Sequence, residues 1–323
     1  MWQPGEVIAI RVLLSSLVLL LAACGATDVD AGESDDPVRV AVGPDAETTL
    51  LGNVAAVLLE TGDLEVELVP FAGAEDARQA IELGAVDVRI GYSGEAWLET
   101  LGRPDPPGDP RDSVLEVYRH DLSDGLLWLR PRFGDGPDEP PANATFAFAV
   151  MGPPGADADL RTVSELATRL SEQPEAGVCV DEEFGARPDG LRAVLQAYSV
   201  RSDRPFLAAS PEEAVLGVAA GDCLAGLTTT TDGQTWRAGL QPLADDLQVF
   251  PAFVPLPQVR VEAVEEHAGL REALAPLPRE LTTMLLGGAN GAVVGGDEVE
   301  EVAADLADRL RRRAGLDEDD TTT

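Results

Sequence analysis

The side chains equipped for chemistry are few, and they favour binding over bond-making. Two histidines, His120 and His267, lie far apart and read as ordinary surface or packing residues, with no cysteine or carboxylate at metal-ligand spacing. No Gly-x-Ser-x-Gly string occurs, and no nucleophile–base–acid set can be assembled from the residues present. Paired acids are too abundant to single any out, with 58 aspartates and glutamates against 23 basic residues. The run Gly287-Gly288-Ala289-Asn290-Gly291, followed by Gly295-Gly296, lacks the Gly-Lys-Ser/Thr ending of a phosphate cradle and reads as a turn between helices. The chain is therefore not read as an enzyme, and no metal or cofactor is expected. What remains is a pair of short strings, Tyr92-Ser93 and Thr229-Thr230. Each offers polar or aromatic contacts to a ligand.

The elements around these strings explain their placement. Val38 to Val42 predicts a strand, and Thr48 to Glu60 a helix with Leu50, Leu51, Val54, Val57 and Leu58 at helical spacing. A strand at Glu65 to Val69, a helix at Glu75 to Leu83 and a strand at Val86 to Gly91 follow. Strands alternating with helices predict an α/β fold with mostly parallel sheets. A comparable series restarts at Gly177: strand, polar loop Asp181 to Gly190, helix Leu191 to Tyr198, helix Pro211 to Ala220, strand Cys223 to Leu227. With Gly84 set on Gly221, Tyr92-Ser93 falls on Thr229-Thr230. Both strings then lie at carboxyl ends of equivalent strands, the edge where open α/β sheets bind ligands. Two such lobes facing one another form a hinged cleft. The expected division is lobe 1 over 37–145 plus 254–315 and lobe 2 over 146–253. The crossings fall in Ala142 to Val150 and Gln248 to Leu256, and helices are expected near Val264 to Ala275, Pro278 to Leu286 and Asp297 to Arg312.

The N-terminus carries an address. Arg11 precedes the apolar run Val12 to Leu21, which is too short for a bilayer span of about 20 residues and suits a signal peptide over 1–23. Leu21-Ala22-Ala23-Cys24-Gly25 resembles the lipobox of bacterial lipoproteins, which implies acylation of Cys24 and anchoring to the outer face of the cytoplasmic membrane. Residues 24–36 read as a flexible tether, and 316–323 as a disordered tail. Removing 1–23 takes away Glu6 and Arg11, so the remaining chain keeps the net charge of −35. Such a body does not bind nucleic acid through charge. Its excess acids read as a solvated face, with adaptation to high salt as a second reading. Every basic residue is an arginine. Cys179 and Cys223 fall on predicted strands of the second half. An exported setting permits a disulfide between them and leaves their pairing open.

Five strings in order resemble the substrate-binding proteins of ABC importers for glycine betaine, choline, carnitine and related osmoprotectants. They are Gly91-Tyr92-Ser93-Gly94, Asn143-Ala144-Thr145-Phe146-Ala147-Phe148-Ala149-Val150, Glu183-Phe184-Gly185-Ala186-Arg187-Pro188-Asp189-Gly190, Thr230-Thr231-Asp232-Gly233 and Phe250-Pro251-Ala252-Phe253. The resemblance runs from Val38 to about Leu310. It implies a two-lobed periplasmic-binding-protein fold of the type 2-like kind, acting as a monomer that hands a quaternary-ammonium or zwitterionic solute to ABC permease subunits.

The family cages a trimethylammonium group in aromatic rings, because such a group neither donates nor accepts hydrogen bonds and only ring quadrupoles and shape can hold it. The resemblance places Tyr92, Phe146 and Phe253 at cage positions, and Thr145 and Thr230 beside them. Arg187 would meet the ligand's carboxylate with its planar fork of donors, or would bridge the acids Glu182 and Glu183. The fourth cage position is Thr229, which has no ring. Trp97 or Trp236 is a candidate to replace it. The first loop, Gly43 to Thr49, is two residues shorter than the family's, and Asp45 or Glu47 could oppose a ligand cation or serve the helix N-terminus. A receptor for another small polar solute, or a surface sensor without a transporter, would use the same cleft.

Overall fold

The computed structural model describes residues 36–133, 140–155, 159–186, 190–201 and 206–316. The signal peptide, Cys24, nearly all of the tether, Arg187 with its neighbours Pro188 and Asp189, and the tail beyond Leu316 lie outside the described residues.

The first half runs β1 (Val38–Val42), α1 (Ala46–Thr61), β2 (Val66–Pro70), α2 (Ala74–Glu82), β3 (Val88–Tyr92), α3 (Ser93–Glu99), α4 (Pro110–Leu122) and β4 (Leu126–Trp128). The second sheet draws on β5 (Phe146–Met151), α5 (Val163–Glu172), β6 (Val178–Val180), α6 (Glu182–Ala186), α7 (Leu191–Ala197), β7 (Leu207–Ala208), α8 (Pro211–Ala220), β8 (Ala225–Thr229), α9 (Gly233–Arg237) and β9 (Leu240–Pro242). The chain then returns through β10 (Pro255–Arg260), α10 (Val261–Glu266), α11 (Leu270–Leu274), α12 (Pro276–Glu280), α13 (Thr283–Gly295) and α14 (Val299–Arg313).

The strands form two sheets, ordered β2-β1-β3-β10-β4 and β7-β6-β8-β5-β9. In each, four strands run the same way, three of them paired side by side as the alternating pattern predicts, while the returning strand β10 or β5 runs antiparallel to both its neighbours and makes the sheet mixed. Each lobe packs its own core. One joins Leu50, Leu51 and Leu58 of α1 to Leu270, Leu274, Leu306 and Leu310. The other joins Phe148 and Leu227 to Leu166, Leu170 and Leu195.

Local chemistry sets the helix starts. Asp45 caps α1 by accepting from the Thr48 N–H at 2.9 Å. Ser210 and Glu213 close a capping box around α8, with Pro211 in its first turn. The internal repeat holds in detail. Gly84 and Gly221 both take left-handed φ, 71° and 83°, ahead of β3 and β8. Tyr92 and Thr229 are the last residues of those strands.

The two crossings lie side by side. The Phe253 N–H donates to Asn143 Oδ1 at 2.7 Å, and the Ala144 N–H to the Phe253 carbonyl at 2.8 Å. Cys179 and Cys223 are disulfide-bonded, with Cα atoms 5.8 Å apart.

The glycine-rich run is not a turn. Gly287 to Gly291 lies inside α13, which is capped by Thr282 and ends at Gly296 with φ 103°. Each helical glycine costs about 1 kcal/mol against alanine. Close packing against α9 offsets that cost. A Cβ at Gly287 would stand 2.0 Å from Trp236 Nε1, and one at Gly233 would stand 2.6 Å from the Asn290 carbonyl oxygen. Among the described residues no helix is long and apolar enough to cross a membrane.

Candidate functional site

Tyr92 and Thr229, equivalent residues of the two sheets, line one cavity of about 560 Å3, a size suited to a small ligand. The first sheet and its helices contribute Tyr92, Glu95, Leu98 and Glu99, with Glu47 from the first turn of α1. The other side brings Thr229, Thr231, Asp232 and Gly233, while Phe253 enters from the second crossing and Asn290 from α13. Phe253 is held by Gly94, where a Cβ would meet its ring at 2.8 Å.

A hydrogen-bond network ties the wall together. The Tyr92 hydroxyl donates to Glu47 Oε1 at 2.5 Å. Asn290 Nδ2 donates to Glu47 Oε2 at 2.6 Å and to the Thr231 carbonyl at 2.8 Å. Burial pushes the Glu47 carboxyl above its usual range, against the opposing bonds from Tyr92, Thr231 and Asn290. Burial raises the Tyr92 phenol well above its ordinary value, and the neighbouring Glu47 charge adds to that shift. Glu95 is also raised, first by burial, and the Glu99 and Asp45 charges push in the same direction. The cavity is thus rich in acceptors and carries two aromatic rings. Its chemistry suits a cation.

The other expected site residues sit elsewhere. Asp45 caps α1 and lines a smaller neighbouring hollow of about 140 Å3 that shares Tyr92 and Glu95. Phe146 pairs across the ladder with Thr229, yet its ring rests on Phe184 and Phe250, 5.4 and 6.1 Å between centroids. It lines a separate hollow of about 770 Å3 with Thr145, Thr230 and Trp236. Thr145 donates to the Pro251 carbonyl and Thr230 to the Asn143 carbonyl, so both hydroxyls bind the crossings. Neither tryptophan lines the cavity of Tyr92 and Thr229. The Trp236 indole donates to the Thr230 carbonyl at 2.9 Å and packs on α13. Trp97 donates to the Pro104 carbonyl at 3.2 Å, with Arg103 over its ring.

The reading of His120 as lacking carboxylates at ligand spacing needs correction. His120, Asp121 and Asp124 offer atoms within 4.8 Å of one another, because the end of α4 and the turn after it bring them together. Asp121 is already engaged by Arg78, Trp128 and Gln258.

Sequence reasoning missed Glu95, Glu99 and Asn290. The two acids were hidden in an acidic chain, although their recurrence three and seven residues after Tyr92, one and two helical turns on, was a usable signal. Asn290 was hidden in the glycine run.

Two α/β lobes, paired crossings and a cavity walled by both lobes define a two-lobed ligand-binding protein. The chain belongs to the family of substrate-binding domains of ABC-type glycine betaine transport systems, matched over residues 36–308. It is 28% identical to the glycine-betaine-binding protein of Pseudomonas aeruginosa over 315 residues, covering 95% of this chain and 96% of that one. It is also 28% identical over 283 residues to the glycine betaine-binding protein YehZ of Escherichia coli K12, covering 84% and 90% of the two chains. The structure of apo YehZ from E. coli superposes with a TM-score of 0.76 at 26% identity, over 87% of this chain and 99% of that one. This is a family of transport binding proteins, not of enzymes.

Proposed function

We propose that this chain is an exported receptor, acylated at Cys24, that captures a quaternary-ammonium osmoprotectant of the glycine betaine kind and delivers it to an ABC permease. The observation that carries this reading is the meeting of Tyr92 and Phe253 with carboxylates in one cavity walled by both lobes. A trimethylammonium head offers nothing to hydrogen bonds, so rings and negative charge are what can hold it, each ring contributing roughly 0.5–2 kcal/mol. Closure follows from a ligand that touches both lobes and so stabilises the closed state by differential contacts. Thr229 faces the same space from the second lobe. Arg187, if it faces the cleft as the family resemblance implies, would add a bidentate partner for a ligand carboxylate. The tether would hold the receptor near its permease at high effective concentration.

Calorimetry and thermal shift with glycine betaine, choline, carnitine, proline betaine and proline test the reading. A site at ligand about 100 times Kd stabilises by about 2.7 kcal/mol. Tyr92→Ala and Phe253→Ala are expected to weaken binding roughly 2- to 30-fold each, the ratio that matches one cation–π contact. If none of the quaternary amines shifts the melting temperature while an unrelated solute does, the reading is wrong. Cys24→Ala is expected to release the protein from the membrane fraction.

A second reading, another small polar solute, is favoured by Thr229, where a cage ring is lacking. A more distant relative is the ergothioneine transport permease/ergothioneine binding protein EgtU of Helicobacter pylori, 23% identical over 279 residues that cover 85% of this chain and 48% of that one. Ergothioneine therefore belongs in the same panel.

A further inference from the structure

A second hollow, of about 440 Å3, lies on the outer flank of the first lobe, beside the edge strand β4. It sits between α4, the segment that follows β4, and helices α11 and α12. It shares no residue with the cavity of Tyr92 and Thr229. Four exposed arginines line it, Arg130, Arg132, Arg271 and Arg279, and no acid does. In a chain with 58 acidic residues against 23 basic ones, that is a local reversal of charge. Little among the described residues neutralises it. Arg130, Arg271 and Arg279 pair with no carboxylate there. Arg132 reaches only Glu280, at 3.6 Å, and Glu280 also faces Arg313 at 3.9 Å, both beyond hydrogen-bond range. The Arg130 guanidinium lies over the Tyr118 ring, 4.3 Å from its centroid, a contact that satisfies no acceptor. Phe133 adds a second ring to the wall. Like charges facing one concave wall raise the local potential and gather counter-ions. At about 0.1 M salt the screening length is about 10 Å, so acids elsewhere on the surface largely drop out.

We propose that this hollow is a second ligand site, built for an organic phosphate, whose phosphate group the arginines hold while its apolar body rests on Tyr118 and Phe133. Guanidinium forks match phosphate oxygens two at a time. A doubly charged phosphate engages several such forks, where one carboxylate would leave most of them unpaired. The volume is that of a small-molecule site, with room beside the phosphate that the two rings wall. The phosphate belongs either to a soluble phosphomonoester or to a lipid headgroup, and both present the same group to the same arginines. The site is independent of what the cleft binds.

Calorimetry on the full chain in about 0.1 M salt, with phenyl phosphate, inorganic phosphate, sulfate and phenol as probes, tests this. Phenyl phosphate is expected to bind roughly 5-fold or more above inorganic phosphate and sulfate, with no measurable heat from phenol. Arg271→Gln combined with Arg279→Gln is expected to weaken phenyl phosphate by roughly 10-fold or more. Both side chains are exposed, so the circular dichroism spectrum is expected to stay unchanged. Sedimentation with phosphatidylcholine vesicles, with and without phosphatidic acid, separates the two sources. It uses the Cys24→Ala chain, which has no thiol at that position to acylate. Co-sedimentation that needs phosphatidic acid and is lost in the double arginine variant assigns the headgroup. Phenyl phosphate binding without co-sedimentation assigns the soluble phosphate. Sulfate binding as tightly as phenyl phosphate overturns the proposal, as does equal binding by wild type and variant. Absence of both phenyl phosphate binding and co-sedimentation overturns it too. The wild-type probe series is decisive even if the double variant folds poorly.

Discussion

The Tyr92 hydroxyl donates to Glu47 Oε1 at 2.5 Å, joining the carboxyl end of β3 to the first turn of α1. The same carboxylate takes the Asn290 amide from α13, so residues far apart in the chain converge on one charge. Glu47 organises the wall that a ligand would meet.

That charge sets a pH dependence. Burial raises the Glu47 carboxyl, and an unfolded glutamate titrates near about 4.3. A group raised on folding contributes stability that is fully present below its unfolded value and lost as pH rises through its folded value. Urea unfolding of wild type and Glu47→Gln across pH 4 to 8, at spacings of roughly half a unit, is expected to show the wild type losing ground to the variant as pH rises. Parallel curves would remove Glu47 as the source.

Asp121 shows the opposite sign. It is fully buried and accepts from Arg78 at 2.7 and 3.1 Å, from Trp128 Nε1 at 2.6 Å and from Gln258 Nε2 at 2.6 Å. Burial pushes its carboxyl up, but the Arg78 bonds and charge outweigh that and hold it below the usual range. Its contribution is present above its unfolded value of about 3.9 and lost as pH falls through the folded one. Asp121→Asn leaves the buried Arg78 only the half-exposed Glu82 as a counter-charge, and chemical denaturation at neutral pH is expected to show a loss of about 1–3 kcal/mol.

The glycines of α13 separate packing from propensity. Gly287→Ala would press a methyl into Trp236 at the contact between α9 and α13, with an expected cost of about 1–3 kcal/mol. A methyl group at Gly288 would meet nothing within 4 Å, so Gly288→Ala is expected to stabilise by about 0.4–1 kcal/mol. Melting curves of the pair check the contrast. Equal shifts of the same sign would mean that α9 does not pack against this face of α13.

The Cys179–Cys223 bond joins β6 to the turn before β8 across a separation of 44 residues. Its removal by Cys179→Ser with Cys223→Ser is expected to cost about 2–4 kcal/mol, read from unfolding with and without reductant. An unreduced wild type no more stable than the double variant would show that the bond does not constrain the unfolded chain.

Much of the scaffold was legible in residue order. Leu50, Leu51, Val54 and Leu58 recur at helical spacing and are buried in α1, which is covered on nearly every side from Leu50 to Leu59, and such spacing is a local property. The offset that sets Gly84 on Gly221 aligned the ends of β3 and β8, and both Tyr92 and Thr229 line the cavity. Chain topology forces equivalent strand ends to the same edge. The glycine run misled for the opposite reason. A helix that spends propensity at Gly287 and Gly291 forms because Trp236 packs there, and no local window contains that partner.

The sequence by itself determined the two-lobed repeat, the family and the position of Tyr92 at a strand end, since each depends on local periodicity or on contiguous strings. Only the tertiary structure decided that Glu47, Glu95 and Asn290 share a wall with Tyr92, that Phe146 leans on core rings, and that both Trp97 and Trp236 lie off the cavity of Tyr92 and Thr229. Those outcomes turn on which distant side chains meet and which polar atoms find partners. Long-range packing sets both.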